Sequence, residues 1–153
     1  MTERTLIILK PDCIQRQLAG QIISRLERRG FQLIGAKFIH ISEEMARKLY
    51  LVHEDKPFMQ GLVDFISLSP SLIMVWQADG IINSVREMMG ATFGRNSRVG
   101  TIRGDFSCAT RYNLIHGSDS PESARYEIDL FFKPQEIVDY ELTNSLWIYG
   151  IND

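Results

Sequence analysis

Histidine occurs three times in this chain, at His40, His53 and His116, and the surroundings of His116 suit it best to nucleophilic chemistry. The residues after it, Gly117-Ser118-Asp119-Ser120-Pro121, read as a tight turn leading into a helix N-terminus. Unpaired backbone N–H groups and the positive end of the helix dipole gather at such a point. They favour a phosphate-like anion and disfavour a protonated imidazole. A neutral imidazole is a nucleophile, and its ordinary pKa of about 6.5 leaves most of it neutral at physiological pH. The competing reading is a capped turn carrying a surface histidine. His40 stands among Phe38, Ile39 and Ile41, and His53 stands beside charged residues near a helix end; neither has an evident set of partners.

Two charged residues fall on stripes that should be apolar. In the helix predicted after Pro121, the inward stripe runs through Ala124, Ile128 and Phe131, and Glu127 lies on it. A carboxylate there requires a polar partner, and a histidine ring at the start of the helix is a candidate that would fix the imidazole tautomer. The alternative is a rim position with the carboxylate in water. Arg86 stands four residues after Ile82 and three before Met89 in a second helix, so an inward guanidinium is expected to meet an anion, either a phosphate or a buried Asp or Glu. Lys10 closes an apolar strand, and Arg103 lies between Ile102 and Gly104; each is ambiguous alone.

No glycine-rich phosphate loop, dinucleotide fingerprint or protein-kinase motif is present, so side chains must hold any phosphates. Without a metal-ligand cluster, any Mg²⁺ would have to arrive with a phosphate-bearing ligand such as a nucleotide. Its phosphates and water would bind it, with a carboxylate such as Asp119 nearby.

The elements that must position these groups can be read from apolar spacing. Strands are predicted over residues 5–9, 31–41, 71–77 and 114–116. Helices are predicted over 18–29, from Ser42 through Tyr50, from Phe58 through Leu62, Phe65 and Ile66, over 81–89, and over 121–132. Residues 91–105 read as a long functional loop without an element of their own. The alternation of types predicts one α/β (α+β) sandwich, and two split β-α-β units with a four-stranded antiparallel sheet would fit. Strand order is not legible.

At 153 residues the chain is expected to form a single domain, 1–153, and its 44% hydrophobic and 24% charged content excludes a disordered chain. A net charge of -2 gives no general positive field for a nucleic acid or an anionic membrane. The longest apolar runs are far below the roughly 20 residues a membrane span needs. The N-terminus runs straight into a strand-like segment, so no signal peptide is expected either. Cys13 and Cys108 are too few and too far apart for a disulfide scaffold or a zinc site, which makes the cytoplasm the default compartment.

Three collinear segments, Ile8-Leu9-Lys10-Pro11-Asp12, Gly100-Thr101-Ile102-Arg103-Gly104-Asp105-Phe106 and Asn113-Leu114-Ile115-His116-Gly117-Ser118-Asp119-Ser120, closely resemble the nucleoside diphosphate kinase family. The resemblance extends over nearly the whole chain, including Lys56-Pro57-Phe58 and Trp147-Ile148-Tyr149. It implies a ferredoxin-like sandwich, a four-stranded antiparallel sheet covered by helices. It also implies ping-pong transfer of the γ-phosphate of ATP to a nucleoside diphosphate through a phosphorylated His116. By motif position, Lys10 and Asn113 would contact the sugar hydroxyl and phosphates, and Arg86, Thr92 and Arg103 would bind phosphates. Tyr50 would lie near His116, Phe58 would stack on the base, and Glu127 and Ser118 would support the histidine. Recognition of the base by an aromatic face alone implies broad base use. The resemblance further implies Mg²⁺ and a homo-oligomer, a hexamer more than a tetramer given the segment after Tyr149. A non-catalytic nucleotide- or partner-binding module of the same fold is the alternative.

Two places depart from the family pattern. Phe93-Gly94 replace the usual Asn-Pro, and Arg111-Tyr112 replace the usual Gly-Arg. Loss of the proline predicts a looser loop after Ala91, and Gly94→Pro is expected to raise thermal stability where the backbone allows it.

Overall fold

Four strands form one sheet in the computed structural model, which describes residues 1–151. They are β1 (Thr2–Leu9), β2 (Gln32–Ile39), β3 (Ser71–Asp79) and β4 (Ile115–Gly117), in the order β2-β3-β1-β4 with every neighbouring pair antiparallel. The Thr5–Leu9 run is apolar without alternation because β1 is central and covered on both faces. Leu6 and Ile8 pack with Val63, Ile66 and Phe131 on one side, and Ile7 and Leu9 pack with Ile22, Leu26 and Val85 on the other.

Among the described residues, eight α-helices complete the fold: α1 (Pro11–Gln15), α2 (Ala19–Arg28), α3 (Glu43–Leu49), α4 (Met59–Ile66), α5 (Ile81–Met89), α6 (Ile102–Phe106), α7 (Pro121–Phe131) and α8 (Ser145–Tyr149). The caps follow the sequence. Ser42 accepts from the Met45 N–H at 3.1 Å and Ser120 from the Ser123 N–H at 3.0 Å, with Pro121 in the first turn of α7. None of the helices among the described residues is long and apolar enough to cross a membrane.

Register sets the direction of the key side chain. Ile8 of β1 pairs with His116 of β4, so both project from the same face, the one that α7 covers. Their neighbour Gly117 faces α5, where an added Cβ would come 2.7 Å from the Met89 sulfur, so α5 packs directly against β4.

Several expectations are corrected. The Lys10-Pro11-Asp12 turn opens a short helix, α1, because proline suits a first helical turn. The segment read as a featureless loop contains a 3-10 turn at Gly94–Asn96 and the helix α6, whose N-cap Thr101 accepts from the Gly104 N–H at 3.0 Å. Helix α4 buries Met59, Val63 and Ile66, leaving Phe58 exposed at its N-cap; the apolar stripe is one position out of step with the Phe58-Leu62-Phe65 pattern. Gly94→Pro has no room to stabilise, since a Cβ at 94 would come 2.7 Å from the Ala109 carbonyl oxygen and would press on Ser107. In the extension past Tyr149, Asn152 and Asp153 lie outside the described residues.

Candidate active site

The site is built where β4 and the start of α7 meet the centre of β1. His116 Nε2 lies 2.7 Å from Glu127 Oε1, with the imidazole partly exposed and the carboxylate buried. Ser118 Oγ donates to the same carboxylate oxygen at 3.0 Å and accepts from the Leu6 N–H at 3.2 Å. Central strand, serine, carboxylate and imidazole are thus joined in one chain of hydrogen bonds. A carboxylate facing Nε2 holds the proton on that nitrogen, so Nδ1 keeps its lone pair. The inward position of Glu127 expected from its helix stripe is observed, and its partners are His116 and Ser118.

Tyr50, at the end of α3, is buried on the same face. Burial pushes its hydroxyl pKa up, and the charge of Glu127 pushes it further, so the group remains a neutral phenol.

A second cluster lies beside the first. Lys10 is 7% exposed, and its Nζ donates to Asn113 Oδ1 at 2.8 Å. Loss of water and the nearby Arg103 charge lower the ammonium pKa to about 8, against an opposing pull from Asp12. Asn113 Nδ2 in turn donates to the Thr92 carbonyl at 2.7 Å. Asp12 carries no role in the sequence reading, yet its Oδ2 accepts from the Leu114 N–H at 3.1 Å. Leu114 has φ +73°, a left-handed conformation strained for a leucine, two residues before the histidine. Burial raises the Asp12 pKa, while the neighbouring Lys10 charge opposes the rise. A lone Asp after Lys-Pro gives no sign of this long-range contact.

The arginines are placed differently from each other. Arg103 is buried and ties the surrounding chain together, donating to the carbonyls of Asn113 (3.1 Å), Ile115 (2.6 Å), Ala91 (3.2 Å) and Gly90 (3.5 Å). Burial, with the Arg86 charge, lowers its pKa to about 10, which still leaves it cationic near neutrality. Arg86 corrects an expectation. It is exposed at the rim, with Nη1 3.4 Å from the Gly117 carbonyl, and meets no buried Asp or Glu. The register of α5 turns Ile82, Val85 and Met89 to the sheet and carries residue 86 past the edge of that stripe. Thr92 and Asp119 are also exposed, and Asp119 Oδ1 accepts from Ser123 Oγ at 2.6 Å. That hydrogen bond, helped by the Arg86 charge, holds the Asp119 pKa below the usual carboxylate range.

Farther out, the Phe58 ring meets the His53 ring edge-on at 5.2 Å, and Tyr50 and His53 are 6.5 Å apart. His53, given little weight in the sequence, links the exposed aromatic to the buried phenol. No cluster of three His, Cys, Asp or Glu side chains able to cage a metal occurs among the described residues.

A buried carboxylate paired with a partly exposed imidazole, flanked by an ammonium and two guanidinium groups, is an arrangement for moving phosphoryl groups. The sequence model of the family described as nucleoside diphosphate kinase matches residues 3–137. The chain belongs to the nucleoside diphosphate kinase family. The nucleoside diphosphate kinase of Carboxydothermus hydrogenoformans is 52% identical over 147 residues, which cover 96% of this chain and 99% of that one. Among solved structures, a halophilic nucleoside diphosphate kinase from Halobacterium salinarum in complex with CDP superposes with a TM-score of 0.94 at 45% identity, covering 97% of this chain and 99% of that one. A transition-state mimic of the Borrelia burgdorferi nucleoside-diphosphate kinase with bound vanadate and ADP gives 0.92 at 34% identity, covering 98% of each chain. The four-stranded antiparallel sheet with its helices is therefore the ferredoxin-like fold of this kinase family, and the chain is an enzyme of the phosphotransferase class.

Proposed function

We propose that this chain transfers the γ-phosphate of a nucleoside triphosphate, typically ATP, to a nucleoside diphosphate in two steps through His116, the whole chain acting as one domain. The observation that carries the reading is the Nε2 contact with Glu127, which leaves Nδ1 as the available nucleophile. In the first step the Nδ1 lone pair attacks the γ-phosphorus, the bond from that phosphorus to the β–γ bridging oxygen breaks, and the diphosphate leaves. The imidazole gains positive charge as it does so, and the Glu127 carboxylate stabilises that charge. In the second step another diphosphate uses a terminal phosphate oxygen to take the phosphoryl group, which restores the neutral ring.

Positioning and charge stabilisation do most of the work in such a transfer. Lys10 and Asn113 would hold the phosphates and the sugar hydroxyl, with Arg86, the Thr92 hydroxyl and the remaining donor capacity of Arg103 on the phosphates. The Tyr50 phenol, close enough to Glu127 to feel its charge, would act as a neutral donor toward His116. Phe58, exposed at the N-cap of α4, would stack on the base and so accept purines and pyrimidines alike. The substrate would be the Mg²⁺ complex of the nucleotide, a hard cation held mainly by phosphate oxygens and water. Asp119 fits a supporting role there, since its depressed pKa keeps it anionic and only one of its oxygens is engaged.

A homo-oligomer, a hexamer more than a tetramer, fits the apolar residues left exposed on one protomer, such as Phe38, Val99 and Trp147; sedimentation gives its mass. Incubation with γ-labelled ATP tests the transfer itself. The protein is expected to take up acid-labile, base-stable label, and His116→Ala to lose label and transfer by at least about three orders of magnitude. Label that persists in His116→Ala overturns the assignment.

A further inference from the structure

Helix α4 presents one face to the segment that leads into Asn113. Phe58 at its N-cap, Gly61 and Phe65 follow the i, i+3, i+7 spacing of that face. The ring of Tyr112 stacks on Phe65, with centroids 4.4 Å apart and planes at 25°. Arg111 lies alongside, and a Cβ added at Gly61 would sit 3.3 Å from its Nη1. Three residues, just under one helical turn and about 4.5 Å of rise, separate Gly61 from Phe58. The absence of a side chain at 61 therefore lets the guanidinium lie against the face of α4 that also carries Phe58.

That guanidinium enters none of the ion pairs formed among the described residues. The nearest acid along the helix, Asp64, has its Oδ1 engaged by Gln60 Nε2 at 2.6 Å. A cationic fork free of a carboxylate partner, beside a ring that offers only a face, can supply what the ring lacks: directed donors at the edge of a stacked ligand. Guanine presents two adjacent acceptors, O6 and N7, which match a guanidinium bidentately. Adenine presents N7 beside an N6 donor, and cytosine presents an N4 donor, so each meets the fork less well.

We propose that Arg111 reads the edge of the base stacked on Phe58 and ranks guanine above adenine and cytosine within an otherwise broad acceptance. This rests on the assignment of Phe58 as the base platform and extends it to specificity. Both Arg111 and Tyr112 stand where the family commonly has Gly-Arg, so the ranking is a property of this chain's own residues.

The experiment compares acceptors on enzyme that already carries label. Phosphorylated wild-type protein is mixed with GDP, ADP or CDP, and the rate of label loss gives an acceptor ratio that does not depend on the donor. Calorimetric binding of GDP and CDP to the unphosphorylated protein gives the same comparison without any transfer. The GDP-to-CDP preference is expected to fall about fivefold or more in Arg111→Ala, in both measurements, with Arg111→Lys intermediate because it keeps the charge and loses the fork. An equal preference in wild type and Arg111→Ala overturns the proposal. Absence of label in the wild type overturns the phosphohistidine reading instead, and the calorimetric ratio still decides the role of Arg111.

Discussion

The floor of the site and its rim are built on opposite plans. On the floor, Leu6, Ser118, Glu127 and His116 are linked by hydrogen bonds of 2.7 to 3.2 Å, and three of the four residues are buried. At the rim, Phe58, Arg86, Thr92, Arg111 and Tyr112 are exposed and come from a helix N-terminus, a helix flank and irregular segments. Reaction at phosphorus demands an atom held in place, and a sheet strand clamped by a helix supplies that. Capture and release of nucleotides of different bases demands access. On the proposed function, chemistry belongs to the floor and affinity to the rim, with the Lys10–Asn113 pair at their junction.

Changes on the floor should therefore act on turnover. Glu127→Gln keeps the shape and loses the charge proposed to stabilise the phosphorylated ring, so kcat is expected to fall about tenfold to a thousandfold with little change in nucleotide KM. Rapid-quench measurement of label uptake checks this; a change confined to KM breaks the division. Glu127→Ala also leaves Ser118 Oγ and His116 Nε2 without their acceptor, and is expected to lower stability by about 1–3 kcal/mol in urea unfolding.

At the junction, pH is the probe. Lys10 titrates near 8 in the folded protein against an ordinary 10.5, so nucleotide affinity is expected to fall as pH rises through about 8. Lys10→Arg should remove that limb of the binding profile. Asp12→Asn removes a charge that holds the Lys10 pKa up, and should move the limb to lower pH. The stability contribution has the opposite slope. Between about 8 and 10.5 the unfolded chain binds more protons at this group than the folded one, so its contribution rises with pH across that window.

The smallest effect belongs to the rim. Tyr112→Ala removes the stack on Phe65, and nucleotide KM is expected to rise about two- to tenfold with kcat nearly unchanged in steady-state assays. A comparable loss in kcat would mean that rim and floor are mechanically one unit.

Legibility in the sequence followed the same division. Glu127 was readable because a carboxylate on an apolar helix stripe violates the helical period, and the capped turn after His116 announced itself through Ser120-Pro121. Arg86 misled by the same logic: its spacing from Ile82 and Met89 suggested the stripe, but the register of α5 carries it past the stripe's edge and leaves it exposed. Helix α6 was hidden because glycines and arginines around it mask a five-residue period. Asp12 was hidden because its partner, Leu114, is 102 residues away.

Apolar spacing, caps and collinear motifs were sufficient to determine the α/β alternation, the nucleophile candidate and the family, since each depends on neighbours within a few residues. Tertiary structure alone decided which imidazole nitrogen faces the carboxylate, that Arg103 ties down four carbonyls while Arg86 stays at the rim, and that Arg111 lies against Gly61. The reason is physical. Local chain geometry fixes the face on which a side chain leaves its element, whereas burial, the pKa shifts that follow from it and hydrogen-bond partners depend on what the rest of the chain packs against that face.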